Sequence, residues 1–166
     1  EDFRKVSEDY FYAILPTTTQ YSRNAIFSGL MPSEIDKKYP DKWFYDDENA
    51  GKNLHEEFFM NEQFKRFGID LKTSYTKITN HQAGKVLEDT ILNLMNNTFN
   101  VIVYNFVDML SHARTEMEVL KELASDEAAY RSLTMSWFDH SPLFNAIQKL
   151  KEKKVRIIIS SDHGTM

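Results

Sequence analysis

The chain has 166 residues, of which 42% are hydrophobic and 27% are charged, and this is enough apolar material for one domain with a sizeable core. The net charge of −5, without a long basic run, argues against non-specific DNA binding, and no apolar stretch approaches the roughly 18 residues of a membrane span. Cysteine is absent, which excludes disulfides and thiolate metal sites and is compatible with the cytoplasmic location that we expect.

The first part of the chain combines an apolar run, a group of hydroxyls and a helical pattern. Residues 10–15 are apolar and aromatic, and they predict a buried strand of a parallel sheet. Pro16 and three threonines follow, of which Thr19 is the last, and residues 22–30 predict a short helix. The hydroxyls are therefore expected at a strand-to-helix junction, close to the positive end of a helix dipole, where a phosphate is favoured.

The next segment is predicted to be a loop. We interpret residues 33–53 as a loop or lid insertion near the site, because residues 36–52 are rich in Asp, Lys, Pro, Gly and Asn. Its aromatic residues either form a lid or pack the loop down, and packing is the more common role. These residues are Tyr39, Trp43, Phe44 and Tyr45.

The rest of the chain alternates helical and strand patterns. Hydrophobic spacing predicts helices over residues 54–67, 80–95, 115–134 and 141–150, and strands over residues 71–78, 100–107 and 155–160. Strands that alternate with helices imply parallel βαβ units, so the predicted fold class is α/β. Ligands of such sheets bind beyond the carboxyl ends of the strands. The threonines, Asp108 and Asp162 each follow a predicted strand and are expected on one rim of the sheet.

Two Asp/His pairs have the character of metal ligands. Asp108 and His112 are four residues apart and share a face if the segment after the strand is helical. Asp162 and His163 are adjacent, and Gly164 lets the chain turn so that both can converge on one ion. A carboxylate with an imidazole suits Zn²⁺ better than Mn²⁺ or iron. The alternatives are a helix-capping aspartate with a surface histidine for the first pair, and a hydrogen-bonded pair at a strand terminus for the second.

Three sequence motifs follow one another along the chain: a hydroxyl-rich segment and then the two segments that hold the Asp/His pairs. Residues 16–19 read Pro-Thr-Thr-Thr and residues 28–32 read Ser-Gly-Leu-Met-Pro, a pattern that resembles the phosphodiesterase branch of the alkaline phosphatase superfamily. Residues 19–29 read Thr-Gln-Tyr-Ser-Arg-Asn-Ala-Ile-Phe-Ser-Gly, and residues 107–112 and 160–165 hold the Asp/His pairs. Taken together, these segments more closely resemble the PglZ domain, especially that of PorX-type response regulators, and the resemblance covers nearly the whole chain.

The resemblance implies a fold, a reaction and a set of ligands. The fold is alkaline-phosphatase-like, with a doubly wound, mostly parallel sheet and helices on both faces. The reaction is zinc-dependent hydrolysis of a phosphodiester or phosphate ester, with Thr19 as the nucleophile. In the implied site Asp108 and His112 hold one Zn²⁺, and Asp162, His163 and Thr19 hold the other.

Substrates and partners also follow from the resemblance. The implied substrate is a phosphorylated small molecule or nucleotide, including oligonucleotide phosphodiesters. Arg23 and Asn24 lie about one turn past Thr19 and could touch the phosphate, with a surface ion pair as the alternative for Arg23. The implied setting is a response regulator with a receiver domain in the same full-length chain, a homodimer, and a link to type IX secretion. The alternative is a non-catalytic, metal-stabilised signalling module that acts through dimerisation or partner binding.

Two ligands of the full family pattern are missing from this sequence. The superfamily uses a further aspartate after an earlier strand, and nothing before Tyr10 supplies it. The other metal normally takes a second histidine well downstream of the Asp162 and His163 pair, and the sequence stops at Met166. We therefore expect part of a longer domain, with weak zinc binding and little hydrolysis by itself.

Overall fold

The computed structural model describes residues 3–44 and 53–164, with every side chain in these ranges except that of Asp108. The described residues form a mixed α/β structure with two strands, β1 (Thr73–Ile78) and β2 (Phe99–Tyr104). The helices are α1 (Thr19–Ser28), α2 (Pro32–Lys38), α3 (Glu56–Arg66), α4 (His81–Thr90), α5 (Phe106–Glu116), α6 (Glu118–Leu123), α7 (Glu127–Asp139) and α8 (Pro142–Leu150). A 3-10 helix, Ile91–Asn96, follows α4.

The chain divides into two compact units. The first comprises Glu1–Val6 and Lys72–Ile157, and the second comprises Ser7–Leu71 and Ile158–Met166. Strands β1 and β2 and helices α4 to α8 belong to the first unit, whereas helices α1 to α3 belong to the second.

A parallel βαβ element organises the first unit. Strands β1 and β2 pair in parallel along their whole lengths, from Thr73 opposite Phe99 to Ile78 opposite Tyr104. Helix α4 begins at a good cap, because the Asn80 side chain accepts a hydrogen bond from the backbone N–H of Ala83. Buried side chains of the strand, α4, the 3-10 helix and α8 form one apolar cluster: Ile78, Leu87, Ile91 and Ala146. The predicted order of strand, helix and strand is thus confirmed, but the second strand ends at Tyr104, and residues 106 and 107, predicted as strand, belong to α5.

Ser141 joins the last two helices of this unit. Its hydroxyl donates to the carbonyl oxygen of Phe138 at 2.7 Å and accepts from the N–H of Phe144 at 3.1 Å. Pro142 takes the first position of α8, where its missing N–H costs nothing. The predicted helix start at residues 141 and 142 is therefore confirmed.

The second unit packs three helices around an aromatic core. Helix α1 ends at Gly29, whose φ of 61° is a left-handed conformation that glycine adopts without a steric penalty. The segment after it forms α2, and Tyr39 and Trp43 are buried with Ile35 and Phe59. The described aromatic residues of the predicted insertion are thus part of the core or close to it. Tyr45 and the lid interpretation of residues 45–52 lie outside the described residues.

Two predicted strands are wrong. Residues 10–15 and 155–160 form no strand, and Tyr12, Ile158 and Ile159 are 80% exposed or more. A strand exists only when its backbone pairs with a neighbour, and an apolar sequence supplies the side chains of a buried strand but not the partner. The described residues therefore contain a two-stranded parallel sheet, and the wider doubly wound sheet stays a prediction.

The single helix predicted over residues 115–134 is also wrong. Met117 is extended between α5 and α6, and Asp126 is extended before α7. Asp126 accepts a hydrogen bond from the N–H of Ala129, so a new N-terminal cap interrupts the helical pattern.

Among the described residues, none of the helices has both the length and the apolar character that a membrane crossing requires.

Candidate functional site

Thr19 occupies the first position of helix α1. The residue before it, Thr18, is extended and makes no side-chain cap. The helix begins three residues earlier than the predicted range of 22–30, so Thr19 lies in the first turn itself. The first N–H groups of a helix have no partner within it and carry partial positive charge. The Thr19 hydroxyl is therefore placed where a negative phosphate is stabilised.

His163 contacts the Thr19 hydroxyl. The distance from Thr19 Oγ1 to His163 Nε2 is 3.1 Å, and His163 Nδ1 lies 2.8 Å from the carbonyl oxygen of Gly164. A carbonyl can only accept, so Nδ1 carries the ring proton. In the neutral ring Nε2 is then the acceptor, and the Thr19 hydroxyl donates to it. The backbone thus fixes the histidine tautomer that presents a lone pair towards Thr19.

Asp162 completes a three-residue group in the second unit. Its Oδ2 is 3.7 Å from His163 Nε2, and the two side chains are 23% and 22% exposed. Among the described side chains, no group of three His, Asp or Glu residues could hold a metal ion. Thr19 must therefore act as the third donor in any zinc site built from these residues. Two ligands on one tetrahedral zinc ion lie about 3.3 Å apart, so separations of 3.1 and 3.7 Å fit such an ion.

A cavity lies beside this group in the same unit. It has a volume of about 180 Å³ and is lined by residues 11–14, by Ser22, Ala25 and Ile26 of α1, and by Asp162. Ser22 is buried, and its Oγ has no hydrogen-bond partner among the described residues. Small-molecule sites usually enclose roughly 300 Å³ or more. The cavity is therefore large enough for only a part of a substrate.

Arg23 and Asn24 are both buried in helix α1. Arg23 Nε donates to Glu56 Oε1 of α3 at 2.6 Å, and the Glu56 side chain is only 1% exposed. Asn24 is 2% exposed. Arg23 therefore joins α1 to α3 through a buried ion pair rather than a surface one. The contact of these two residues with a phosphate stays a prediction.

Asp108 and His112 lie in the first unit, within helix α5. The helix starts at Phe106, directly after β2 ends, so both residues are in it and four positions apart. This is the backbone arrangement that a shared helix face requires. His112 is exposed. The assignment of this pair to a metal stays a prediction, as does its assembly with Thr19, Asp162 and His163.

The sequence analysis missed two residues whose side chains bond to helices α1 and α5. Glu56 is a fully buried carboxylate at the start of α3, and acidic residues in a first helical turn are ordinarily exposed. Tyr130 of α7 hydrogen-bonds to helix α5. No local pattern marks either residue, since both act through partners at least 19 positions away in the sequence.

The fold and the site together define a class of protein. A parallel βαβ element is typical of α/β proteins, whose ligands bind beyond the carboxyl ends of the strands, and the start of a helix, where Thr19 lies, is a favoured place for a phosphate. The family model described as the BREX system PglZ alkaline phosphatase-like domain matches residues 1–166, so the chain belongs to the PglZ family. The domain type supports a phosphoesterase-type hydrolase of the alkaline phosphatase superfamily. Comparison with curated proteins gives no match.

Proposed function

We propose that this chain is a zinc-dependent phosphodiesterase or phosphatase domain with Thr19 as its nucleophile. The observation that carries the proposal is the hydrogen bond from Thr19 Oγ1 to His163 Nε2, with the opposite ring nitrogen tied to the backbone. Membership of an alkaline phosphatase-like family supports the same class of reaction. A metal-ligating histidine ordinarily holds its second nitrogen in this way.

The residues of the second unit fit one zinc ion. Thr19 Oγ1, His163 Nε2 and Asp162 Oδ2 would hold it, since His163 Nε2 lies 3.1 Å from Thr19 Oγ1 and 3.7 Å from Asp162 Oδ2. When bound, the ion supplies a Lewis acid that lowers the pKa of the Thr19 hydroxyl and stabilises negative charge on the reacting oxygens. Asp108 and His112 are proposed to hold the second ion, with Mn²⁺ as the less suitable metal in both places.

Thr19 performs the covalent step. Its hydroxyl gives its proton to water, its oxygen attacks phosphorus while the bond from phosphorus to the leaving oxygen breaks, and the leaving group departs as an alkoxide that takes a proton from water. The product on the chain is a phosphothreonine. Water then attacks phosphorus, the bond to Thr19 Oγ1 breaks, and the hydroxyl is regenerated. The N-terminus of α1 stabilises the phosphate charge throughout.

The wider setting belongs to the same proposal and is supported by the motif resemblance. It comprises a nucleotide or oligonucleotide phosphodiester as substrate, with Arg23 and Asn24 as phosphate contacts. It also includes a receiver domain in the same full-length protein, a homodimer, and a cytoplasmic role in type IX secretion signalling.

The test compares Thr19→Ala with Thr18→Ala, a matched control one residue away. Hydrolysis of bis(p-nitrophenyl) phosphate by the full-length protein, which is the form used for every variant and for wild type, is measured with excess Zn²⁺ and after chelation. We expect Thr19→Ala to lose activity by several orders of magnitude, as hydrolases do when a covalent nucleophile is removed. Thr19→Ser should retain part of it and Thr18→Ala most of it. Chelation should stop hydrolysis while far-UV circular dichroism stays unchanged, because the apolar cores do not depend on the ions.

Two results would contradict the proposal. Thr19→Ala with wild-type turnover would exclude this nucleophile. Wild-type protein that binds Zn²⁺ but hydrolyses no phosphodiester or phosphate ester would favour the non-catalytic signalling module.

A further inference from the structure

The cavity beside Asp162 lies along the face of helix α1 that carries Thr19. Ser22, Ala25 and Ile26 line it from this helix. Ser22 and Ile26 follow Thr19 by three and seven positions, so the three residues share one helix face. At a rise of about 1.5 Å per residue, Ser22 is about 4.5 Å and Ile26 about 10.5 Å farther along the helix axis than Thr19. The cavity wall on α1 therefore begins about one turn from the Thr19 residue.

Asp162 connects the same cavity to the other side of the Thr19 hydroxyl. It lines the cavity, and its Oδ2 is 3.7 Å from His163 Nε2. His163 Nε2 is in turn 3.1 Å from Thr19 Oγ1. Helix α1 and the Asp162–His163 pair thus each contribute both to the cavity wall or its neighbour and to the Thr19 group. A phosphate at Thr19 and a group in the cavity would be close enough to belong to one molecule.

Most of the cavity wall is apolar. Phe11 and Ile14 line it from the segment before Pro16, and Ala25 and Ile26 line it from α1. Such a wall stabilises an apolar group by removing both surfaces from water, and it offers few hydrogen bonds to a second phosphate. Among the described residues of the wall, Asp162 alone carries a charge, and its carboxylate disfavours a second negative group in the cavity.

The volume of the cavity limits the size of the group that it can hold. It measures about 180 Å³, and a cavity of about 150 Å³ lined by Leu, Ile and Phe side chains holds one benzene molecule. A single aromatic ring therefore fits the cavity of this chain. A complete drug-sized ligand would need roughly 300 Å³ or more, so the rest of a substrate must lie outside it.

We propose that this cavity is a subsite for one aromatic ring on the ester group of the substrate, whose phosphate lies at Thr19. The inference rests on the proposed function and deepens it, because it narrows the substrate to phosphate esters that carry such a ring. Helix α1 positions both ends of the molecule. Its first turn faces the phosphate, and Ala25 and Ile26 contact the ring. Esters with small aliphatic or charged groups would leave the cavity unfilled and bind more weakly.

The experiment measures the binding of phosphonates, whose phosphorus–carbon bond resists hydrolysis, to the full-length protein with excess Zn²⁺. Benzylphosphonate carries an aromatic ring, and methylphosphonate lacks one. Methyl NMR follows Ile14 and Ile26, assigned with Ile14→Val and Ile26→Val, because an aromatic ring shifts the resonances of the methyl groups that it contacts. The variant Ala25→Leu fills the cavity. Ala128→Leu is the matched control, since it makes the same change at an exposed position of α7.

We expect benzylphosphonate to bind about tenfold or more tightly than methylphosphonate and to shift the Ile26 methyl resonance, because burial of a ring-sized apolar group contributes at least this factor. Ala25→Leu should abolish the difference in affinity between the two phosphonates, and Ala128→Leu should retain it. The thermal midpoint of each variant is measured in parallel. If Ala25→Leu does not fold, Ile26→Ala carries the test, and it should lower the ratio of the two affinities by removing contacts with the ring.

Equal affinity for the two phosphonates, or no binding of either, would overturn the inference. Tighter binding of benzylphosphonate that shifts neither methyl resonance would also overturn it, because the ring would then lie elsewhere. None of these results concerns the nucleophile, so the hydrolysis assay of Thr19→Ala still decides the proposed function. Wild-type turnover in Thr19→Ala would contradict the proposed function, whereas the phosphonate affinities would still report on the cavity.

Discussion

Breaking the ion pair between Arg23 and Glu56 on one side should be one of the most destabilising single changes in the second unit. Arg23 Nε and Glu56 Oε1 are 2.6 Å apart, and the side chains are 11% and 1% exposed. The change Glu56→Gln keeps the shape of the side chain and removes its charge, which leaves the guanidinium buried beside a neutral amide. Breaking a buried pair on one side costs about 3–5 kcal/mol. We expect about 3 kcal/mol, because Arg23 retains some contact with solvent.

The double variant Arg23→Met with Glu56→Met tests the origin of that cost. Replacing both partners removes the two charges of this pair together, so it should be less destabilising than Glu56→Gln alone. A chain of 166 residues loses roughly 2–4 °C of thermal midpoint per kcal/mol, which predicts a drop of about 6–12 °C for Glu56→Gln.

Thermal unfolding followed by circular dichroism measures both values. Glu127→Gln is the matched control, since its pair with Arg131 is on the surface of α7 with side chains 80% and 66% exposed. An exposed pair of this kind contributes about 0.5 kcal/mol at most, so the control should melt close to wild type. A drop for Glu56→Gln no larger than that of the control would refute the reasoning. So would a double variant that is less stable than Glu56→Gln.

Two further predictions concern stability. Ser141→Ala removes the cap of α8 and the bond to Phe138, and it should cost about 1–2 kcal/mol in urea unfolding; a loss below 0.3 kcal/mol, on the order of measurement error, would count against the cap. Burial, aided by the charge of Lys42, holds the pKa of His55 below its usual 6.5. The folded state therefore resists protonation of the His55 ring. The contribution of His55 to the free energy of unfolding is present above pH 6.5 and is lost as pH falls through the folded pKa. The stability difference between wild type and His55→Gln should change over that window and be constant above it, and a difference that does not vary with pH would contradict this assignment.

The elements that were predicted correctly are those whose sequence signals lie within the element or next to its ends. Helices α4, α8 and α1 were predicted from their hydrophobic spacing, and the structure shows matching local signals at their ends in Asn80, Pro142 and Gly29. The strands β1 and β2 were predicted for the same reason, from the hydrophobic patterns of their own residues.

Residues 10–15 and 155–160 show where local patterns are insufficient. Both segments have the composition of buried strands, and neither forms one, since pairing depends on a neighbouring strand. The break at Asp126 was missed because the side-chain cap competes with a helical spacing that continues on both sides.

The candidate site was predictable only in part. Residue type and motif order singled out Thr19 and His163, and the structure brings their side chains into contact across 144 positions of sequence. The supporting contacts were not predictable. Glu56 and Tyr130 act on α1 and α5 through distant pairs, and nothing in their own neighbourhoods distinguishes a buried partner from a surface residue.

The two tryptophans of the chain are distributed one to each unit, and this has an optical consequence. Trp137 stacks on Phe106, the first residue of α5, with ring centres 3.3 Å apart and planes inclined by 7°. Trp43 is 4% exposed and meets the edge of Tyr21 of α1. In Trp43→Phe the remaining emission comes from Trp137 of α7, which contacts the start of α5, and in Trp137→Phe it comes from Trp43 in the core beside α1. The intrinsic fluorescence of these two variants can therefore report separately on the helix of Asp108 and on the helix of Thr19, without an attached dye.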